Sequence, residues 1–504
     1  MTRYKVKVNV ELVECNESIS DSPTEQQDGG FSMVISEKDA VSIDKCEKTI
    51  LQTAYPTIRS ALSEHLTGVS QKKAGEMAEA GEQVIQNSCP YKVDGEVGRF
   101  TFLTHSILKD ADVQYNTGRD VFSCLHGKEF YLTAGFKEIA LIYGDTKESY
   151  RKTTRLINRI RYQEKNGTPS RTLHEVTERE GTSLLEHITR KSERILSHHG
   201  FEETGIYRGK NPQYTQSCPV FLPQYKIDDA LSVCTEGCSF SDGYIDNPIG
   251  YEDPSETVNI AIDDVNVKRQ EDNRVLGQKR TEHKRKYAHN TIARLSYNGT
   301  KYVLNGVSTT SLLPIITSFL LANGLSGKRF QFFTDGHTIL NTAIMNFYSW
   351  KGNMGIILDW YHLAKKCGEL LSQTMNGRKL RNEVLDKLKP LLWYGLTDKA
   401  IDFLREIPEK DIKNSQLLEK LIAYLERNRP YIPCYAARKE LGLCNSSAAG
   451  EKANDLIVSE RQKHNGMSWT KKGTVALAAI TALAQNNEYR KWFEEKDIDF
   501  QLAA

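Results

Sequence analysis

Carboxylates stand at the ends of three short apolar runs in this sequence. Asp263 and Asp264 follow the first run, Asp335 the second and Asp359 the third. The runs are Val258–Ile262, Phe330–Phe333 and Met354–Leu358. Uninterrupted apolar runs of this length are typical of strands buried on both faces. A carboxylate at the carboxyl end of such a strand lies in the crevice where open α/β sheets bind their ligands.

A further candidate carboxylate is Glu451, in the first turn of a helix predicted from about 448 to 464. Two aspartates on neighbouring strands and a glutamate on a packed helix can hold two divalent ions about 3.5–4 Å apart, as phosphodiester chemistry requires. Carboxylate oxygens select Mg²⁺ or Mn²⁺ over softer metals. Each acid also has a structural explanation: an Asp-Gly turn at Asp335, a helix N-cap at Asp359, and a favourable N-terminal charge at Glu451. Only the metal site explains them jointly.

The elements between these acids predict a mixed sheet covered by helices. Asn298-Gly299 joins two alternating runs, which indicates a β-hairpin. Leu312–Leu321 predicts a helix, and a second helix separates the runs that end at Asp335 and Asp359. A three-stranded antiparallel unit that continues by right-handed crossovers into parallel strands places Asp263 beside Asp335. The helical pattern at about 369–437 interrupts this alternation and predicts an all-α insertion.

The N-terminal half divides into three predicted parts: a mixed α/β region of unknown role at 1–125, a helical region at 126–212, and a linker or small subdomain at 213–255. In the helical region, a helix ends at Gly144 and a second, basic helix begins with Asp145 as N-cap. A second helix pair is predicted to break at Gly181. Arg151–Lys210 carries 13 Lys/Arg against 8 Asp/Glu.

This layout favours either a helical bundle with solvated charges or a helix-turn-helix that binds DNA. If the region binds DNA, the candidate phosphate contacts are Arg151, Lys152, Arg155 and Arg159.

Composition limits the function classes. The formal net charge is only +2, so any nucleic-acid surface must be local. The apolar stretches fall short of the roughly 20 residues that span a bilayer, so we expect no membrane segment. The ten cysteines are scattered, which is typical of free thiols in a reducing compartment. Cys218, Cys234 and Cys238 give a weak zinc signal beside the alternative of buried thiols.

The C-terminal string GEKANDLIVSERQKHNGMSW, residues 450–469, resembles the end of DDE transposases of bacterial insertion sequences, in which small residues precede the catalytic glutamate and Arg-x-Lys-x-x-Gly-Met-x-Trp follows it. Asp359-Trp-Tyr-His362 is similar to the C/D-x-x-H signature of the Mutator-like group. Thr334-Asp335-Gly336 resembles the second catalytic position. Ile262-Asp263-Asp264-Val265 resembles the first, where the family usually has Asp-Gly.

The resemblance implies an RNase H-like catalytic core at 256–504 with the all-α insertion, preceded by the helical and mixed α/β regions. Asp263, Asp335 and Glu451 would be the catalytic metal ligands for Mg²⁺ or Mn²⁺. Asp359 and His362 would brace a strand-helix junction by hydrogen bonding. Arg461 and Lys463 are further candidate phosphate contacts, while Trp469 is expected to pack.

The activity implied is a transposase that cleaves at terminal repeats and joins the 3′ ends to target DNA. Its partners would be transposon-end and target DNA, within a homodimer or larger assembly, in the cytoplasm with the nucleoid. Two alternatives remain open: a transposon-derived DNA-binding regulator without cleavage, and a structure-specific nuclease or resolvase on the same fold.

Overall fold

A computed structural model describes residues 3–8, 31–36, 42–109, 113–116, 130–145, 148–216, 220–236, 250–270, 287–445, 455–463 and 467–502. The chain divides into two compact units, Met1–Thr177 and Glu178–Ala504. It is a mixed α/β structure with two mixed sheets. Within the described ranges, no helix is both long and apolar enough to cross a membrane.

The first unit is built on a four-stranded sheet with the order β5-β4-β3-β6. Its strands are β3 (Gln83–Gly95), β4 (Gly98–Lys109), β5 (Val113–Asn116) and β6 (Phe130–Leu132), and an antiparallel pair, β1 (Arg3–Val8) and β2 (Phe31–Ser36), is separate from that sheet. Its helices are α1 (Ile43–Glu79), α2 (Ala134–Gly144) and α3 (Tyr150–Ile160); α4 (Ser170–His198) begins in this unit and ends in the next.

The junction between α2 and α3 differs from the predicted one. Helix α3 begins at Tyr150, and its N-cap is Ser149, whose hydroxyl accepts a hydrogen bond from the Lys152 N–H. Asp145 instead follows the last turn of α2, where its own N–H donates to Leu141 O. The prediction of Asp145 as N-cap is therefore wrong. Ser and Asp are comparable N-caps, so residue type alone did not distinguish the two positions.

The second unit is built on a five-stranded sheet with the order β11-β10-β7-β8-β9. The strands are β7 (Thr257–Lys268), β8 (Tyr287–Tyr297), β9 (Thr300–Gly306), β10 (Arg329–Thr334) and β11 (Met354–Leu358). β7, β8 and β9 are antiparallel, whereas β10 is parallel to both β7 and β11. The predicted hairpin is confirmed: Tyr297 pairs with Thr300, and Asn298 and Gly299 both have positive φ.

The first acidic strand is longer than predicted. Asp263 and Asp264 do not end β7, which continues to Lys268 and pairs with β8 along that length. Residues beyond Ile262 alternate between buried and exposed because only one face of the strand is covered there. The prediction that an acid ends the strand is wrong at this site and right at Asp335 and Asp359.

Helices cover this sheet and form the predicted all-α insertion. The helices outside this insertion are α5 (Pro212–Thr215), α6 (Gln224–Thr235), α7 (Thr309–Ala322), α8 (Thr338–Phe347), α14 (Lys471–Gln485) and α15 (Tyr489–Glu495). The insertion comprises α9 (Trp360–Thr374), α10 (Arg378–Trp393), α11 (Thr397–Arg405), α12 (Ser415–Asn428) and α13 (Tyr435–Glu440). A buried cluster that includes Phe333, Leu371 and Leu421 joins this insertion to the sheet.

Gly181 does not break a helix, contrary to the prediction. It lies inside the continuous helix α4, where a Cβ on this residue would come within 2.3 Å of the backbone oxygen of Ala476. A glycine in a helical pattern can mark either a break or a close approach of two helices, and sequence alone did not separate the two.

We expect Gly181→Ala to lower the free energy of unfolding by about 1–3 kcal/mol, because the added methyl group must separate α4 from the backbone at Ala476. The matched control is Gly368→Ala in α9, where a Cβ meets nothing within 4 Å. That change should stabilise by roughly 0.5–1 kcal/mol. Urea unfolding of both variants measures these changes. Equal changes in the free energy of unfolding would contradict the close approach of α4 to the backbone at Ala476.

Candidate active site

The register of three parallel strands places three aspartates in one row. β7 and β10 pair with Phe333 opposite Ala261, an offset of 72 residues. β10 and β11 pair with Thr334 opposite Leu358, an offset of 24 residues. Continued by one or two positions, these offsets align Asp263 with Asp335 and Asp335 with Asp359. Because neighbouring strands lie about 4.8 Å apart, this alignment places the three acids at the same end of the sheet on adjacent strands.

Asp263 lies in an electrostatic environment that disfavours its charge. Its side chain is partly buried, and burial is the main cause that raises its pKa to about 6. His362 acts in the opposite direction, while Asp335 and Asp264 raise the pKa further. Asp335 and His362 therefore lie close enough to Asp263 to interact with it electrostatically. Adjacent carboxylates of this kind are tolerated best when a cation is present.

Asp264 lies beside Asp263 in the strand but belongs to the other face of β7, since successive side chains alternate. It is exposed, and its Oδ1 accepts a hydrogen bond from the Thr291 hydroxyl. Of the adjacent pair, Asp263 is therefore the residue aligned with Asp335.

Asp335 begins the tight turn that follows β10. Its Oδ1 accepts a 2.8 Å hydrogen bond from the His337 N–H, so the Asp-Gly turn is present together with the acid row. Gly336 has φ of 78°, and a Cβ there would come within 2.7 Å of Leu358 Cδ1 and 2.9 Å of Asn428 Oδ1. Glycine is therefore required for both the conformation and the space. The turn fixes the position of the Asp335 carboxylate at the end of the sheet.

Asp359 joins β11 to helix α9. Its carboxylate caps the helix by accepting a 3.0 Å hydrogen bond from the His362 N–H, which confirms the predicted N-cap. Its own N–H donates to Thr334 O at 2.9 Å, and the residue is fully buried. The cap sets the start of α9, and with it the position of His362 beside Asp263.

Glu451 lies outside the described residues, but both flanking segments contact elements that carry the aspartates. Upstream, Asn445 O accepts a 3.1 Å hydrogen bond from the N–H of Trp360, the residue after Asp359. Downstream, a π-helix at Asp455–Lys463 packs against β7, the strand that carries Asp263. The remainder of the predicted 448–464 helix also lies outside the described residues.

A buried ion pair, which the sequence analysis missed, holds the upstream flank. Arg438 donates to both carboxylate oxygens of Glu252 at 2.5 and 2.6 Å, and both side chains are at most 2% exposed. The same guanidinium donates to Cys444 O at 2.8 Å. The two residues are 186 positions apart, so spacing gave no signal. Tyr424 was missed for the same reason; its hydroxyl donates to Asp335 O at 3.3 Å.

The two C-terminal basic candidates differ in exposure. Arg461 is 1% exposed, and its guanidinium lies 5.1 Å from the centre of the Trp469 ring. Trp469 is 5% exposed and donates to Gln462 O, so its predicted packing role is confirmed. Lys463 is exposed. Contact of Arg461 with a phosphate stays a prediction, and its guanidinium is not on the surface here.

The basic helix α3 presents its charges on one face. Arg151, Lys152, Arg155 and Arg159 are all exposed. The opposite face, with Ile157 and Asn158, is buried. Arg161, which follows the last helical residue, is 2% exposed and donates to Gly95 O at 2.8 Å and to Thr168 Oγ1 at 2.6 Å. Arg161 thus connects the end of α3 to the end of β3 by a hydrogen bond. The other four cations of this segment remain exposed.

The zinc and metal predictions are not resolved by the described residues. Cys218 and Cys238 lie outside them, and Cys234 is a buried cysteine that forms no disulfide. Among the residues that the structure describes, no group of three or more His, Cys, Asp or Glu side chains has metal-site geometry. The third predicted ligand, Glu451, lies outside that set.

The chain has no match among protein-family models or curated proteins. A solved structure that it matches is the Drosophila P element transposase strand transfer complex, at 11% identity and a TM-score of 0.17, over 56% of this chain and 83% of that chain. At this TM-score the likeness carries no argument about fold or function.

The raised pKa of Asp263 predicts a pH-dependent stability effect. The carboxyl ionises at about pH 6 in the folded chain against 3.8 ordinarily, so folding loses stability as pH rises through that interval. Asp263→Asn should therefore stabilise the metal-free protein by about 1–3 kcal/mol above pH 7, and have little effect below pH 4.

Urea unfolding in EDTA at several pH values measures this effect. Asp386→Asn is the control, because that exposed carboxylate lies in α10 and is not among the groups that shift the pKa of Asp263. A stability change for Asp263→Asn that is the same at all pH values would contradict the electrostatic origin.

Proposed function

We propose that this chain is a DNA transposase that cleaves at the ends of its element and joins the 3′ ends to target DNA. The observation that carries the proposal is the strand register that aligns Asp263 with Asp335 beside His362. An acid row at the end of a parallel strand pair suits phosphodiester chemistry. The C-terminal resemblance adds Glu451 as the third acid.

The proposed catalytic core is RNase H-like. Three antiparallel strands followed by two parallel ones, in the order β9-β8-β7-β10-β11, support this assignment. The all-α insertion follows β11 and precedes the segment that carries Glu451. In this arrangement Asp263 belongs to β7, Asp335 directly follows β10, and the π-helix that begins four residues after Glu451 packs on β7.

The donor set fits a divalent metal. Asp263 and Asp335 offer carboxylate oxygens, which favour Mg²⁺ or Mn²⁺. Burial and neighbouring carboxylates raise the pKa of Asp263, and a bound cation would offset this unfavourable electrostatic energy. Asp263, Asp335 and Glu451 would hold the metal. When bound, it supplies activation of the attacking oxygen and charge stabilisation at the leaving oxygen.

The other residues of the site position these acids. The Gly336 turn fixes Asp335, and the Asp359 cap fixes the start of α9, which carries His362. The Glu252–Arg438 pair holds Cys444, seven residues before Glu451. Such preorganisation matters because the site must present its oxygens in one geometry before the phosphate binds.

DNA would be bound outside the catalytic row as well. The exposed cations of α3, among them Arg155 and Arg159, are suited to phosphate contacts. Two element ends must meet for joining, so we also propose a homodimer or larger assembly. Lys463, the exposed last residue of the π-helix, would be a further phosphate contact.

The direct test of activity mixes purified protein with DNA that carries the element ends, in magnesium or in EDTA. Wild-type protein should nick and join the DNA only with magnesium, and Asp335→Ala should lose at least about 100-fold of the rate. Asp264→Asn, which changes an exposed carboxylate one residue from Asp263, should retain activity.

Three other outcomes of this experiment decide between the candidate functions. Tight binding with no cleavage under any divalent ion would favour the regulator. Cleavage without joining would favour the nuclease. Cleavage that persists in Asp335→Ala would overturn the assignment of the site.

The basic helix makes a separate prediction. Arg155→Gln with Arg159→Gln should weaken DNA binding and lower the slope of log K against log salt by about two, while unfolding stays unchanged because both side chains are exposed. Filter binding at several salt concentrations measures the slope. Unaltered binding would remove α3 from the DNA interface.

A further inference from the structure

The helical insertion contains an open, strongly basic cleft between the end of α9 and the start of α10. Its volume is about 560 Å³, and its walls include Ser372, Asn376, Gly377, Arg378, Arg381 and Lys413. None of its lining residues is acidic or aromatic. None of its lining residues belongs to the acid row.

The backbone holds the two walls of the cleft in place. Met375 forms an isolated β-bridge with Ile412, and Asn376 donates its N–H to Asp411 O at 2.9 Å. Lys413 donates its N–H to Thr374 O at 2.7 Å. Lys413 is therefore fixed across the cleft from the start of α10, although 35 residues separate it from Arg378.

The charges of the cleft are not neutralised by the protein. Arg378 and Lys413 are exposed, and neither has an ion-pair partner in the part of the chain that the structure describes. Arg381 donates to Ser372 Oγ at 3.2 Å and to Asn382 Oδ1 at 2.7 Å, which orients its guanidinium at the cleft wall. Cations that converge on one cavity without a carboxylate repel one another, and an anion would offset that cost.

The lining selects the class of anion. An aromatic ring that could stack on a base is missing from the lining residues, whereas Arg, Lys, Ser and Asn are the side chains that contact phosphate oxygens in DNA complexes. These features favour the phosphates of a DNA backbone over a free nucleotide, whose base would have nothing to stack on.

We propose that this basic cleft binds consecutive backbone phosphates of a DNA duplex, with Arg378 and Lys413 as the contacts. The inference rests on the proposed function for the identity of its substrate, and adds a second DNA contact surface on the insertion. Arg381 positions the wall and contributes charge. Binding in the cleft is independent of DNA sequence, because the contacts are to the phosphate backbone.

The test measures binding of a fluorescently labelled duplex of arbitrary sequence to the full chain in EDTA, at salt concentrations from about 50 to 200 mM. The double variant Arg378→Gln/Lys413→Gln should lower the slope of log K against log salt by about 1.8, because each duplex phosphate contact contributes about 0.9. At physiological salt its affinity should fall about tenfold.

Two matched variants separate charge from structure. Lys420→Gln/Lys439→Gln removes two exposed lysines of the same insertion that do not line the cleft, and should leave the slope unchanged. Arg378→Lys/Lys413→Arg keeps both charges and should bind as wild type does. Equal salt slopes for the neutral cleft variant and the Lys420/Lys439 variant would overturn the proposal. It would also be overturned if the charge-retaining variant lost as much DNA affinity as the neutral cleft variant.

A separate measurement with ATP tests whether the cleft binds a free nucleotide instead of DNA. ATP should bind wild type and the neutral cleft variant equally weakly in equilibrium dialysis. Loss of ATP binding in that variant with unchanged DNA binding would overturn the proposal in favour of a nucleotide site. Because these measurements need no cleavage, a failure of the transposase activity would be seen separately in the cleavage assay.

Discussion

The pairing of β7, β10 and β11 is the constraint on which the rest of the site depends. Phe330–Phe333 is buried throughout, so a slip of one residue would exchange the two buried faces of β10. A slip of two residues would keep the faces and move Asp335 by about 7 Å along the strand. The packing of apolar side chains thus sets the distance between Asp263 and Asp335, although neither acid contributes to that packing.

The helical insertion stabilises a site that is unfavourable by itself. Asp263 has a raised pKa because it is buried near another acid, and a fully buried Asp359 lies in the same row. The insertion packs its apolar cluster on β10 and β11 and places Tyr424 and Asn428 around the Gly336 turn. The insertion helices therefore stabilise the end of the sheet where the acids lie. Such compensation is expected when a functional site lowers the stability of the fold.

Local signals were sufficient for much of the sheet. Asn298-Gly299 identified the hairpin because only a few residue types adopt two successive positive φ values. The apolar run before Asp335 identified a buried strand, and the run before Asp263 identified its parallel partner. Asp359 identified the start of α9 because its side chain bonds to a backbone N–H three residues away, which is a local interaction.

Features that depend on distant residues were not predictable in this way. Gly181 resembled a helix break, but its role is set by Ala476, almost 300 residues away. β7 continues beyond Asp263 because β8 pairs with it there, which the apolar pattern of β7 does not encode. Glu252 and Arg438 resemble surface charges until the fold brings them together. The basic cleft joins two segments through backbone hydrogen bonds, which leave no trace in side-chain spacing.

The most direct measurement of the central claim is a crystal structure of the protein grown with Mn²⁺, with anomalous difference density used to locate the metal. The register of the acid row predicts manganese bound by carboxylate oxygens of both Asp263 and Asp335, at about 2.0–2.3 Å, with Glu451 as a further ligand. Saturating manganese that leaves both aspartates unliganded, or that binds only elsewhere, would contradict the claim.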